Sequence, residues 1–198
     1  AGNYRNSQED HVRILRQDGS SWTVVYDSGG DSLYLREIAA YKDHIYAFAV
    51  QGDQGQMLTS SDGANWTKKQ VANRYFRAHL WEGYLWLGST NFNVNGERGL
   101  WRFDGNQFDK IHPGAQKYVT NVQDLDGALY FSTSNGWKNE SGPSTLWMSP
   151  DGYNDWEKIC QFGETAIWDL TVFDGKLYMG SWDYGNGGKV YVLDKQPR

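Results

Sequence analysis

An Asp-Gly pair followed by an aromatic residue recurs four times along the chain, at steps of 44, 42 and 47 residues. The pairs are Asp18-Gly19, Asp62-Gly63, Asp104-Gly105 and Asp151-Gly152, and the aromatic residues are Trp22, Trp66, Phe108 and Trp156. A period of about 40 to 50 residues is typical of the four-stranded blades of a β-propeller. The repeat therefore predicts an all-β propeller of about four blades, each with four antiparallel strands.

A second repeat, in phase with the first, has the alternation expected of β-strands. It consists of HIYAFAV from His44, YLWLGST from Tyr84, ALYFSTS from Ala128 and KLYMGSW from Lys176. Each segment follows a two-residue turn with hairpin chemistry, such as Asp174-Gly175. In the last repeat, strand a is predicted at Ile167 to Phe173, strand b at Lys176 to Trp182 and strand c at Lys189 to Leu193. No segment has a sustained helical period, so helix content should be near zero.

The predicted strands number 17, one more than four blades need. The chain begins with a c and d pair, Val12 to Arg16 and Trp22 to Tyr26, and ends with an a, b and c triplet. Since propellers commonly complete one sheet from both chain ends, the N-terminal d strand is predicted to complete the last blade. The alternative is a larger ring, completed by another segment or a partner chain. The predicted domains are a polar segment at 1–11 and one propeller at 12–198.

The turns between strands c and d resemble the Asp-box, or bacterial neuraminidase repeat. The resemblance is clearest in Ser60-Ser61-Asp62-Gly63-Ala64-Asn65-Trp66 and in Ser149-Pro150-Asp151-Gly152-Tyr153-Asn154-Asp155-Trp156, which has one inserted residue. The turns at Asp18 and Asp104 are weaker matches, without the leading serine. The resemblance implies that each Asp accepts backbone hydrogen bonds within its turn while the following ring packs between blades. We interpret these turns as structural staples.

The loops between strands b and c, together with the starts of the a strands, are expected to meet on one face of the propeller. Several of these loops place an amide or carboxylate beside an aromatic ring. The candidate ligand-binding residues are Asn91, Phe92, Asn135, Trp137, Trp168, Trp182, Asp183, Tyr184 and Asn186. A flat ring beside planar hydrogen-bonding groups suits a sugar. The alternative interpretation is that these Asn and Gly residues only form long hairpin loops.

A second set of polar residues falls on the a strands. Alignment on the hairpin turns places Glu37, Arg77, Asn121 and Asp169 at one position and Ala39, His79, Gln123 and Thr171 two residues later. Such a set can hold a small polar ligand or an ion; the candidate catalytic residues for acid–base chemistry are Glu37, Asp169, Arg77 and His79. The alternative is a hydrated channel whose charges neutralise one another. Arg36 and Trp168 are expected at the rim, and Ile38, Ala78, Val122 and Leu170 between blades.

Composition argues against several classes of function. The net charge of -5 disfavours nucleic acid as a partner. The longest apolar run, Ile45 to Val50, is far shorter than the roughly 20 residues that cross a membrane. Cys160 is the single cysteine, which excludes an intrachain disulfide and a cysteine-based zinc site. The four histidines lack metal-ligand spacing, so no metal or other cofactor is expected.

The leading hypothesis is a noncatalytic carbohydrate-binding, lectin-like or adhesion propeller, with a glycan or small polar ligand on the b–c loop face. One alternative is a glycan-active hydrolase or lyase; the sialidases among Asp-box propellers need six blades, for which this chain is too short. Another is an interaction scaffold whose edge strand pairs with a second copy or a partner chain. The sequons Asn65-Trp66-Thr67 and Asn139-Glu140-Ser141 fit an extracellular or cell-surface location.

Overall fold

The computed structural model describes residues 12–90, 97–112, 118–134, 143–164, 166–183 and 187–194. Within these ranges the chain forms 17 β-strands and no helix, which confirms the all-β prediction. No described segment is a helix long and apolar enough to cross a membrane. By its contacts the chain divides into two compact units, residues 1–76 with 91–96, and residues 77–90 with 97–198.

The first unit contains two antiparallel sheets. A two-stranded sheet consists of β1 (Arg13–Asp18) and β2 (Ser21–Asp27). A four-stranded sheet consists, in chain order, of β3 (Leu33–Tyr41), β4 (His44–Gln51), β5 (Gln54–Ser60) and β6 (Thr67–Val71). The boundary between the units falls within the next strand, β7 (Tyr75–Trp81).

The second unit continues the same pattern. β7 is followed in its sheet by β8 (Tyr84–Ser89), β9 (Gly99–Phe103) and β10 (Phe108–His112). The next sheet contains β11 (Tyr118–Leu125), β12 (Ala128–Ser134), β13 (Ser144–Ser149) and β14 (Glu157–Phe162). The last sheet has three strands, β15 (Ala166–Phe173), β16 (Lys176–Trp182) and β17 (Val190–Leu193). Four-stranded sheets with neighbouring strands in chain order are propeller blades.

The predicted completion of the last blade by the N-terminal d strand is wrong for the described part of the chain. That strand, β2, pairs with β1, while the last sheet there ends at β17. The physical reason is the two-residue turn at Gly19-Ser20, which brings β1 and β2 together as a local hairpin. The predicted strand at Val12 to Arg16, which would be left over if β2 completed the last blade, is therefore the partner of β2 for most of its length.

Left-handed backbone turns close the hairpins between the first two strands of each four-stranded sheet and of the last sheet. The first turn residues Lys42, Glu82, Asp126 and Asp174 have φ values of 51°, 49°, 49° and 49°. Three of them are followed by Gly83, Gly127 and Gly175, with φ values of 73°, 78° and 67°. Positive φ at both central residues is the geometry of the type I′ hairpin turn. The predicted hairpins are thus confirmed.

The first strand of three sheets carries a β-bulge at the same place. The pairing register skips one residue between Leu35 and Glu37, between Val119 and Asn121, and between Ile167 and Asp169. The skipped residues are Arg36, Thr120 and Trp168. A bulge interrupts the alternation of side chains and re-aims the residues around it. Glu37, Asn121 and Asp169 follow their bulges directly, so the alignment of these three positions is correct.

The cores of the second unit lie between consecutive sheets. One cluster joins Trp81, Trp86 and Leu100 to Val119, Val122, Leu129 and Phe131 of the next sheet. Another joins Leu125, Tyr130, Leu146 and Met148 to Ile167, Leu170, Leu177 and Met179 of the last sheet. The sheet formed by β11 to β14 therefore buries apolar side chains on both of its faces.

Ile38 departs from the prediction that its position packs between sheets. Its side chain is 45% exposed, whereas Val122 and Leu170 are 3% and 5% exposed. Val122 and Leu170 are covered by the preceding four-stranded sheets. Before β3, the described residues provide a sheet of two strands, and Ile14 of β1 and the preceding Val12 contribute to buried clusters. Ile38 is exposed because no described strand covers it. Ala78 is half-buried.

Aspartate side chains close three of the four Asp-Gly turns. Asp62 Oδ1 accepts hydrogen bonds from the backbone N–H groups of Ala64 at 2.8 Å and Asn65 at 2.7 Å. Asp104 and Asp151 accept the equivalent pairs of bonds. The bonds from Asn65 and Ala64 hold the pKa of Asp62 well below its usual range. The fourth turn differs, because the Asp18 carboxylate lies 3.0 Å from the Arg16 guanidinium.

The turn at Gly152 packs against two tryptophans of the preceding sheet. A Cβ at Gly152 would lie 2.7 Å from Trp81 Cζ3 and 2.9 Å from Trp86 Cη2. Gly127 has a similar backbone, with φ of 78° against 72°, but no atom lies within 4 Å of its Cβ position. Substitution of Gly127 therefore introduces backbone strain alone, whereas substitution of Gly152 adds steric overlap to the strain.

We expect Gly152→Ala to lower the free energy of unfolding by about 2–4 kcal/mol, because left-handed strain and overpacking act together. Gly127→Ala should lower it by about 1 kcal/mol, since only the strain operates. Chemical denaturation of both variants and the parent protein measures the difference. Equal losses would contradict the packing of the Gly152 turn on the tryptophans.

Candidate functional site

The second unit contains a cavity of about 500 Å³ beside β15 and β16. Its lining residues are Trp168, Asp169, Gly180, Ser181 and Trp182. The two indole rings meet edge to face, with 6.2 Å between their centroids and 63° between their planes. Both tryptophans are half-buried, and Asp169 is exposed. The cavity therefore combines aromatic surface with a carboxylate and a hydroxyl group.

The bulge in β15 explains how two consecutive residues reach one cavity. In a regular strand, the side chains of Trp168 and Asp169 would point to opposite faces of the sheet. The register skips Trp168, which frees this side chain from the alternation. Ile167 and Leu170, on either side, are 0% and 5% exposed and belong to the core. The irregular pair is therefore held between two buried anchors.

Gly180 lines the cavity without adding a side chain to it. It is the register partner of Asp169, and the equivalent partners in the other bulged sheets are Phe48 and Ser132. A Cβ at Gly180 would contact only the Cβ of Asp169, at 4.0 Å. The missing side chain keeps the volume open. The sequence difference among Phe48, Ser132 and Gly180 could have revealed this feature, but Gly180 and Ser181 were not among the predicted site residues.

The Asp169 carboxylate is anchored through one of its two oxygen atoms. Oδ1 accepts hydrogen bonds from Asn121 Nδ2 and from the backbone N–H of Leu170, the latter at 3.1 Å. Asn121 is 6% exposed, so the amide that holds the carboxylate is itself buried. No donor among the described residues reaches Oδ2. The second oxygen is therefore available to a ligand.

The chain beyond Ser181 is tied to the same sheet by hydrogen bonds. The backbone N–H of Ser181 donates to the carbonyl of Lys189 at 2.8 Å, and the N–H of Lys189 donates to Ser181 Oγ at 3.0 Å. Lys189 Nζ donates to Glu164 Oε1 at 2.7 Å, and the Tyr191 hydroxyl donates to the same oxygen. Both bonds lower the pKa of Glu164, and the bond from Lys189 has the larger effect. Glu164 is 4% exposed, and it was not among the site residues predicted from the sequence.

The other candidate catalytic residues do not line this cavity. Glu37 lies in the first unit, where its Oε1 accepts a hydrogen bond from the Ile38 N–H at 3.1 Å. His79 Nε2 lies 2.7 Å from Asp124 Oδ1, and Arg77 is half-buried on β7. Of the four candidates, the cavity contains Asp169.

Arg36, predicted at the rim, stacks on an aromatic ring within the first unit. Its guanidinium carbon lies 5.3 Å from the centroid of the Phe76 ring. Burial, followed by the neighbouring charge of Arg74, lowers the pKa of Arg36. We therefore interpret Arg36 as a residue that packs on Phe76.

Three of the predicted ligand-binding residues are described, namely Trp168, Trp182 and Asp183. The backbone of Asp183 forms a bridge with Gly187, and its N–H donates to the Gly187 carbonyl at 3.2 Å. Asn91, Phe92, Asn135, Trp137, Tyr184 and Asn186 lie outside the described residues. Within the described ranges, no group of three or more His, Cys, Asp and Glu side chains could hold a metal ion.

Comparisons with known proteins give a partial structural likeness. No protein-family model matches the sequence, and no curated protein matches it. A thermostable family-43 glycoside hydrolase superposes on 75% of this chain, with 14% identity and a TM-score of 0.45. The GH32 β-fructofuranosidase of Bombyx mori superposes on 80%, with 15% identity and a TM-score of 0.45. This chain spans 64% and 44% of the lengths of those two proteins. A likeness at this level says nothing of activity or ligand.

We expect Glu164→Gln to lower the midpoint of thermal unfolding at pH 7 by roughly 2–4 °C, because the Lys189 and Tyr191 bonds lose their charged acceptor. Since the folded pKa of Glu164 is lowered, its contribution is present above the ordinary carboxyl pKa and is lost as pH falls through the folded pKa. The two proteins should therefore converge in stability towards acid pH. Calorimetry from pH 7 to pH 3 measures this, and a constant difference across the range would contradict it.

Proposed function

We propose that this chain is a noncatalytic carbohydrate-binding propeller whose ligand occupies the cavity lined by Trp168 and Trp182. The observation that carries the proposal is the Asp169 carboxylate, which is fixed through Oδ1 and open at Oδ2 beside the two indole rings. A carboxylate held in this way can accept hydrogen bonds from a ligand without first being ordered, which reduces the entropic cost of binding.

The chemistry of the lining residues suits a sugar. The faces of indole rings pack against the C–H faces of a pyranose, while carboxylate and hydroxyl groups bond to its hydroxyls. The cavity volume of about 500 Å³ lies within the range of about 300–1,000 Å³ that is common for small-ligand sites. The Asn121 amide and the Ile167 and Leu170 anchors hold the site on rigid strands.

A binding role is favoured over hydrolysis by the number of carboxylates. Glycoside hydrolysis generally uses two carboxyl groups about 5–10 Å apart across the scissile bond. Among the described lining residues, Asp169 is the single carboxylate. The hydrolase or lyase alternative therefore requires a second acid from elsewhere. Release of reducing ends from a bound glycan, lost in Asp169→Asn, would favour that alternative instead.

The test of the proposal is a glycan array followed by tryptophan-fluorescence titration with the strongest ligand. We expect Trp168→Ala and Gly180→Val each to weaken binding about tenfold or more, by removing the stacking surface and by filling the cavity. Gly180→Val should leave the fold intact, because its Cβ meets no close contact and valine favours strands.

The matched control is Trp22→Ala, which removes a tryptophan that is 63% exposed in the first unit. This variant should bind with unchanged affinity. No binding of any array glycan at millimolar concentration would refute the proposal. Unchanged affinity in both site variants would also refute it, because the ligand would then sit elsewhere.

We also propose that the c–d turns belong to the Asp-box class. In support, the two turns that begin with serine have matching bonds: Ser60 Oγ accepts from the Gly63 N–H at 2.9 Å, and Ser149 Oγ accepts from the Gly152 N–H at 3.0 Å. The aspartates of both turns accept the backbone bonds that the resemblance implies. These contacts fit a structural role for the turns, separate from ligand binding.

A second candidate function, an interaction scaffold, is favoured by the edge of the last sheet. In the described part of the chain, β17 pairs with β16 alone, and Val190 and Val192 are 74% and 44% exposed. An open strand edge with apolar residues favours pairing with another chain, here a second copy. Light scattering should then find a species larger than a monomer that Val192→Lys dissociates. A monomer at every concentration would contradict this candidate.

A further inference from the structure

The cavity lined by Trp168 and Trp182 carries a negative charge that no described cation neutralises. Asp169 is its single ionisable lining residue among those described. The groups that hold Asp169 Oδ1 are the neutral amide of Asn121 and the backbone N–H of Leu170. Neither neutralises the carboxylate. No described cationic side chain forms an ion pair with it.

Two lysines near the cavity in sequence are already paired with carboxylates. Lys176 Nζ lies 2.8 Å from Asp194 Oδ1. Lys189 bonds to Ser181 through its backbone, but its ammonium group pairs with the buried Glu164 carboxylate at 2.7 Å. The same carboxylate oxygen accepts the Tyr191 hydroxyl bond. Lys189 is therefore not a counterion for Asp169. Moving its ammonium group would leave the buried Glu164 carboxylate without its cationic partner.

A neutral sugar that filled this cavity would replace the water on the Asp169 carboxylate with hydroxyl hydrogen bonds but would leave its negative charge unneutralised. A ligand with an ammonium group would neutralise Oδ2 by a charge-assisted hydrogen bond. The same ammonium group would be attracted to the electron-rich faces of Trp168 and Trp182. Both effects act on one positive charge, at a carboxylate whose position is fixed by Asn121.

On this basis, and resting on the proposed function, we infer that the site selects amino sugars, with a free 2-ammonium group on the pyranose, over neutral and N-acetylated sugars. The sugar ring packs on the indoles as for any pyranose. The ammonium group supplies the specificity through Asp169 Oδ2.

The inference is tested by titrating the whole chain with glucosamine, glucose and N-acetylglucosamine at neutral pH, followed by tryptophan fluorescence and calorimetry. Glucosamine should bind about tenfold more tightly than the other two sugars at low salt. Added salt should reduce this ratio, because it screens the ion pair. In Asp169→Asn, the affinity for glucosamine should fall until the ratio is close to one.

The matched control is Asp174→Asn, which removes the same charge from the turn after β15 and keeps a residue that tolerates its φ of 49°. This variant should retain the preference for glucosamine. Equal affinities for the three sugars would overturn the inference and leave the carbohydrate-binding proposal standing. A preference that survives in Asp169→Asn would also overturn it. Failure of every sugar and array glycan to bind would overturn both.

Discussion

The burial of sheet faces against neighbouring sheets is the constraint from which the rest of the structure follows. A four-stranded sheet such as that of β11 to β14 cannot be stable alone, because both of its faces carry apolar side chains. The large rings, among them Trp86 and Phe131, fill the spaces between sheets. The same constraint explains Ile38, which is exposed because the preceding sheet has two strands in the described part of the chain.

The candidate site is a variation of a position that the repeats share. After two of the three bulges, a carboxylate, that of Glu37 or Asp169, accepts a bond from the next backbone N–H, which satisfies an amide near the irregular pairing. In the last sheet this position is changed in two ways. The bulged residue is Trp168, and the strand partner is Gly180, so the structural carboxylate gains aromatic walls and open volume. A position that serves packing in the other sheets therefore lines a pocket in the last sheet.

Much of the fold could be predicted from the sequence because its signals are local. Turn residues such as Asp174-Gly175 determine where hairpins close, and the observed last strands agree with the predicted ones within a residue. The site was predictable only in part. Asp169 and its neighbour Trp168 follow from the alignment of the a strands, and Trp182 from the start of a b–c loop. The bulge that turns Trp168 and Asp169 to one side depends on pairing with β16. The ion pair of Glu164 with Lys189 joins residues 25 positions apart, and no repeat marks it.

In the proposed complex, the ligand contacts the indoles of Trp168 and Trp182. This contact can be measured in a two-dimensional nitrogen–proton spectrum with assigned indole signals, recorded while a glycan that binds the protein is added. We expect the Trp168 and Trp182 signals to shift together, while those of Trp66 and Trp156, which pack against the cores, stay in place. Shifts confined to other tryptophans, with Trp168 and Trp182 unchanged, would show that the ligand binds elsewhere.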